Sequence, residues 1–189
     1  LHKESSGSDV ISYDVTGRQH TWSARNLPYE VEEPMMPSWR YLMPRLDVTC
    51  YDPSGGQDTQ FSDWQAVARW GMDMLDPQVI MDDDITAQAQ ELTAGLETPE
   101  EKVRAIADFV RDSIRYVAIE IGKGRWQPRT SVSTLRNRYG DCKDKATLMR
   151  ALLRAVDIPS APVLAHTLDS GYAVQPELPS PFQFNHCIV

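Results

Sequence analysis

The chain has 189 residues, 41% apolar and 24% charged, and its 19 basic and 27 acidic side chains leave a net charge of −8. That length sets a prior of one or two domains and is enough to bury a core without disulfide staples. The acidic balance argues against nucleic acid or an anionic membrane surface as the main partner, because both reward clustered Lys and Arg.

No uncharged apolar run reaches the ~18 residues that mark a membrane-spanning helix, so membrane insertion is not expected. Residues 1–9 are polar and lack the apolar stretch of a signal peptide. The three cysteines, Cys50, Cys142 and Cys187, are odd in number and widely spaced, which does not describe a disulfide framework. No CxxC pair or His-rich cluster suggests zinc, and no cofactor is expected.

Along the first fifty residues the pattern is strand and turn. Residues 10–15 and 20–24 are short β-type runs separated by Thr16-Gly17. Four prolines between Pro28 and Pro44 exclude a long helix there. Residues 45–51 make a further strand candidate. These are too few strands for two packed sheets, so the segment reads as the tail of a larger β domain. Asp52-Pro53-Ser54-Gly55-Gly56 is a turn or linker, and a boundary after it gives segments 1–56 and 57–189.

Helical periods follow. Ser62 and Gln65 have the spacing of a capping box ahead of a stripe of Trp64, Val67, Ala68, Gly71 and Leu75, which Asp76-Pro77 stops. Asp82-Asp83-Asp84 suits a helix N-terminus and lacks the Gly and Glu spacing of an EF-hand calcium loop. Ile85, Ala89, Leu92 and Leu96 form a second stripe, with Gly95 as its C-terminal cap. Thr98-Pro99-Glu100-Glu101 opens the clearest helix, where Val103, Ile106, Val110, Ile114 and Val117 keep the period. Residues 131–138 form a short helix candidate.

A further helix begins at Asp141, with Asp144 three residues on, and Cys142, Ala146, Met149, Leu153 and Val156 on its inward stripe. Pro159 ends it, residues 161–167 read as a strand, 168–181 as a Pro- and Gly-containing loop, and 184–189 as a final strand.

A thiol in the first turn of a helix has one clear chemical use. The thiolate is the nucleophile, and unpaired N–H groups with the helix dipole stabilise it. Lys143 and Lys145 add positive charge, partly offset by Asp141 and Asp144. A neighbouring imidazole completes activation, and the same N–H groups suit a developing oxyanion. His186, alternating with Phe184 and Ile188 on the last strand, is the candidate imidazole.

Position alone leaves the plainer readings open: a cysteine on an apolar stripe is usually a small buried hydrophobe, and a strand histidine a satisfied core residue. Cys187 faces the other side of its strand and reads as packing. His166 reads as structural or surface, and Cys50 takes no role.

The run Tyr139-Gly140-Asp141-Cys142-Lys143-Asp144-Lys145-Ala146, continued to Leu153 and closed by Ile158-Pro159-Ser160-Ala161, resembles the nucleophile helix of the bacterial transglutaminase-like superfamily. Leu178-Pro179-Ser180-Pro181 with Phe184-Asn185-His186 is similar to its histidine strand, and Ile114-Arg115-Tyr116-Val117 and Pro128 also fit. The likeness spans residues 60–189. The front segment, with Trp22, Pro28, Glu33 and Pro37, is similar to the end of a β-sandwich domain that often precedes this core in bacterial envelope proteins.

The resemblance implies an α+β, papain-like core of helices on a small antiparallel sheet, with a partial β-sandwich in front. It implies Cys142 as nucleophile, His186 as general base and acid, and a protein or peptide substrate in a periplasmic or envelope setting. The Cys142 N–H is the implied oxyanion donor, with Trp126 or Tyr116 as the aromatic second. Arg125 and Arg129 either line the substrate cleft or belong to a solvated loop.

The family's third triad member, an Asp or Asn on the strand after the histidine, has no counterpart here. Asp169 precedes the histidine and Asn185 faces away, so both ends of the chain are expected to be cut within domains. The implied reaction is acyl transfer through a thioester, resolved by water or by an amine, with a slight preference for water. The alternatives are a non-catalytic binding or structural module of the same fold and a metal site at Cys142, Asp144 and His186.

Overall fold

The computed structural model describes residues 2–6, 11–17, 19–27, 29, 31, 33–36, 42, 45–49, 61–167 and 174–189. Cys50, the 52–56 turn and Asp169 lie outside them. The chain divides into two units, one of Leu1–Val67 with His166–Gln183, the other of Ala68–Ala165 with Phe184–Val189.

In the first unit, β1 (His2–Ser6) pairs antiparallel with β4 (Arg45–Thr49), and β2 (Ile11–Thr16) with β3 (Gln19–Ala24). Thr16 pairs with Gln19, so the β2–β3 turn is tight, and Gly17 takes φ +63° there, where a side chain would be strained. Tyr13, His20 and Trp22 stack across this hairpin, and the Tyr13 hydroxyl meets His20 Nδ1 at 2.7 Å. The segment before the histidine strand is folded around one side chain: Gln183 accepts from Gln175 N–H at 2.6 Å and donates to the carbonyls of Gln175 and Leu178.

Helix α1 spans Trp64–Leu75. Its cap differs from the expected Ser62–Gln65 box. Asp63 accepts the Ala66 N–H at 2.7 Å, and Ser62 donates to Asp63 instead. A carboxylate one residue nearer the helix takes the capping position because it accepts more strongly at a positive helix end.

The second unit is built from helices. Helix α2 (Asp83–Thr93) is capped by Asp82, whose carboxylate accepts the Ile85 N–H, and Gly95 at φ +75° follows its end. Leu96, expected on the α2 stripe, therefore lies beyond the helix. Helix α3 (Pro99–Ser113) opens on a complete capping box between Thr98 and Glu101. It stops before Ile114, whose backbone is extended, so Val117 falls outside the helix that its spacing suggests.

Helix α4 (Ser131–Asn137) leads to α5 (Cys142–Arg154). Asp157 at φ +59° closes α5, with the Ile158 N–H returned to the Leu153 carbonyl, and Pro159 prevents continuation.

Helix α5 is the axis of this unit. It packs against α2, α3, α4 and β8 (His186–Ile188), so its buried residues are not confined to one stripe. Leu148, Ala151 and Leu152 are fully buried against Ile85, Ile106 and Val110. Lys143, Asp144 and Arg150 are buried as well, each with an ion-pair partner.

Two small sheets flank the helices. β7 (Val163–Ala165) runs antiparallel to β8, with Ala165 opposite His186. β5 (Arg115–Tyr116) runs parallel to β6 (Tyr139–Gly140), a pairing the sequence does not suggest.

Candidate active site

Three short elements fix the neighbourhood of Cys142. The β5–β6 pair sets Tyr116 level with Gly140, through Arg115 N–H to the Arg138 carbonyl and Val117 N–H to the Gly140 carbonyl, both 2.9 Å. Asp141 then turns the chain into α5. Its carboxylate accepts the Asp144 N–H at 3.3 Å, while Asp144 accepts the Asp141 N–H at 3.1 Å, so the helix start is locked reciprocally.

Asp144 also accepts from the Arg129 backbone N–H at 2.7 Å and its guanidinium at 2.8 Å. Arg129 in turn lies over the Tyr139 ring, with its guanidinium carbon 5.2 Å from the ring centroid. Arg129 is thus a support for the helix start. Asp144, one member of the metal alternative, has both oxygens engaged by these donors.

Cys142, His186 and Trp126 line one cavity of about 170 Å³. The cavity wall also takes Trp70, Met74 and Leu75 from α1, Leu164 from β7, and Phe184, Asn185 and Cys187 around the start of β8. Trp70 meets Trp126 edge-on, centroids 5.2 Å apart at 70°. Arg125 lines the cavity and sits over the Trp126 ring, 5.6 Å from its centroid.

Sequence reasoning misses Trp70 and Met74 as site residues. Their only signal is a place beside the buried stripe of α1, which does not distinguish a cavity wall from core.

Tyr116 does not line that cavity; it pairs with Gly140, two residues before Cys142. Its phenol is pushed above the ordinary value of 10.0, first by burial and then by the negative charge of Cys142. The Tyr116 phenol therefore stays protonated at neutral pH.

The lysines behave differently from their sequence reading. Lys143 is buried in an ion pair with Asp141. Lys145 points away, donating to the Ile114 carbonyl at 2.8 Å and the Arg111 carbonyl at 3.3 Å, where it satisfies the open C-terminal end of α3. Burial holds the Lys145 ammonium below its ordinary range. A charge spent on orphan carbonyls does little for a thiolate elsewhere.

Cys187 is buried, and its thiol is pushed up to about 12, by desolvation first and by the negative charge of Cys142 second. It packs as expected, yet it also borders the Cys142 cavity. Cys142 and Cys187 are both free thiols.

Against this geometry, the family model described as the transglutaminase-like superfamily matches residues 86–180. Among solved structures, a candidate protease from Parabacteroides distasonis superposes with a TM-score of 0.65 at 19% identity, over 98% of this chain and 34% of that one. The chain thus spans about a third of the length of that protein. A candidate cysteine protease from Cytophaga hutchinsonii gives a TM-score of 0.36 at 26% identity, over 45% of this chain and 30% of that one. No curated protein matches the sequence. A family match over half of the chain, on the helices that carry and surround Cys142, gives the assignment: this chain belongs to the transglutaminase-like superfamily.

Proposed function

We propose that the protein carries out thiol-dependent acyl transfer on protein or peptide amides, with Cys142 as nucleophile and His186 as the proton-transfer group. The observation that carries this reading is that both residues line one cavity, Cys142 from the first turn of α5 and His186 from the first residue of β8.

The Cys142 thiolate attacks the amide carbonyl, and the S–C bond forms as the carbonyl π pair moves onto oxygen. The Cys142 N–H, in the first turn of α5, and the Tyr116 hydroxyl are the proposed donors to that oxyanion. His186 then gives a proton to the departing amine, and a thioester remains. Water, or an amine in a cross-linking variant, attacks the thioester and returns its proton to His186. Water needs no acceptor site, which favours hydrolysis. A periplasmic or envelope setting is part of the proposal by family resemblance.

The reading is tested by acid-quenching the protein during reaction with an activated peptide ester and mapping the adduct by mass spectrometry. Acylation at Cys142, lost in Cys142→Ala and discharged faster by an added primary amine if aminolysis occurs, is the expected result. Equal ester turnover by wild type and Cys142→Ala, with no adduct at Cys142, would leave a non-catalytic module as the better account.

A further inference from the structure

We infer that the acyl donor places one apolar side chain, a single ring or a branched aliphatic group, in the cavity beside Cys142. Main-chain amides whose carbonyl belongs to Phe, Leu or a similar residue are then preferred over those of glycine and of acidic residues. The inference rests on Cys142 being the nucleophile and adds to it the class of substrate.

Size is the first argument. A cavity of about 170 Å³ is close to the ~150 Å³ apolar cavity that accepts one benzene ring. It has room for one ring-sized group and not for two neighbouring side chains. Because Cys142 itself forms part of the wall, the side chain nearest the attacked carbonyl is the one that fills it.

The chemistry of the wall is the second argument. Trp70 and Trp126 meet edge to face, and Met74, Leu75, Leu164 and Phe184 extend the apolar lining. A ring or isobutyl group sheds its apolar surface there, which favours binding in proportion to the area removed from water. Acidic donors fare worse. Glu120 on the same wall repels an acidic side chain, and the cavity's cations are engaged, Lys143 by Asp141 and Arg125 over the Trp126 ring.

Aminoacyl chloromethyl ketones bearing Phe, Leu, Gly or Glu test this directly. The thiolate displaces chloride and forms a C–S bond, and peptide mapping reads the rate at Cys142, each rate being divided by that of the probe with free glutathione. The expected result is labelling by the Phe and Leu probes about tenfold or more faster than by Gly and Glu, the scale on which apolar pockets discriminate. Trp70→Ala and Met74→Ala should each reduce that preference several-fold, each probe's rate being taken relative to iodoacetamide labelling of Cys142 in the same variant. The milder Met74→Ala decides the matter if Trp70→Ala folds poorly.

Equal rates for all four probes, with iodoacetamide labelling still dependent on His186, overturn the apolar subsite and leave the acyl-transfer reading standing. Slow iodoacetamide labelling that ignores His186 sinks both.

Discussion

Asp144 occupies the space that a side chain at Gly140 would need: a Cβ built on Gly140 would lie 2.5 Å from the Asp144 Cβ and 3.0 Å from its Oδ2. The glycine is there for room, since it is what lets the carboxylate reach the Asp141 N–H and Arg129 at once. Neither the Cβ nor the anchored carboxylate of Asp144 yields easily. Gly140→Ala is therefore expected to cost about 2–3 kcal/mol, the upper part of the overpacking range. Denaturant unfolding checks it, and a variant as stable as wild type would mean that the helix start relaxes freely.

Tyr116 and Trp126 are the two proposed second oxyanion donors, and the pairing of Tyr116 with Gly140, just ahead of α5, favours Tyr116. Tyr116→Phe is expected to lower kcat about 100-fold, the low end for loss of one such donor. Its stability should change by no more than about 0.5 kcal/mol, because the side chain is 53% exposed. Trp126→Phe keeps the apolar wall and should retain kcat within a few-fold. A larger loss in Trp126→Phe than in Tyr116→Phe reverses the assignment.

Arg150 is 3% exposed and pairs with Asp76 at 2.6 Å, while its Nε and Nη1 find no hydrogen-bond partner among the described residues. A buried cation satisfied on one side contributes little net stability, because its desolvation offsets the pair. Arg150→Met should thus be neutral or stabilising. Asp76→Ala strands the charge and should cost about 3 kcal/mol, the low end for a broken buried pair, since Asp76 is itself partly exposed. Thermal melts of the two variants separate these outcomes, and a large loss in Arg150→Met would contradict the argument.

Cys187 gives a pH signature. Its folded value of about 12 lies above the ordinary 9.0, so the neutral thiol is the form that packs. Its contribution to stability is complete below pH 9.0 and is lost as pH rises toward about 12. Wild type should lose Tm more steeply across that window than Cys187→Val. Parallel slopes would show that the thiol ionises without cost.

Much of this arrangement is legible in the sequence because cap spacing is specific. A Thr or Asp followed three places on by a carboxylate, just ahead of an apolar period, describes a helix start and little else. Thr98 with Glu101 and Asp141 with Asp144 have that spacing, and both capping boxes form. Apolar period is a weaker guide at helix ends. It carries α3 on to Val117 because Ile114, though extended, is still buried at 1% exposure.

The surroundings of the site are less visible for two physical reasons. Two-residue strands such as β5 and β6 carry no periodicity, so the pairing that brings Tyr116 to Cys142 leaves no local mark. Lys143 and Arg150 look like solvated charges until their partners, Asp141 and Asp76, are seen.

The central claim is that Cys142 and His186 form one reactive unit. The direct measurement is the rate of iodoacetamide alkylation at Cys142 across pH, read by peptide mapping in a Cys50→Ser background, for wild type and His186→Ala. The account predicts alkylation at neutral and mildly acidic pH that falls about tenfold or more when His186 is removed, because an imidazolium no longer stabilises the thiolate. Superimposable rate profiles for the two proteins would contradict it.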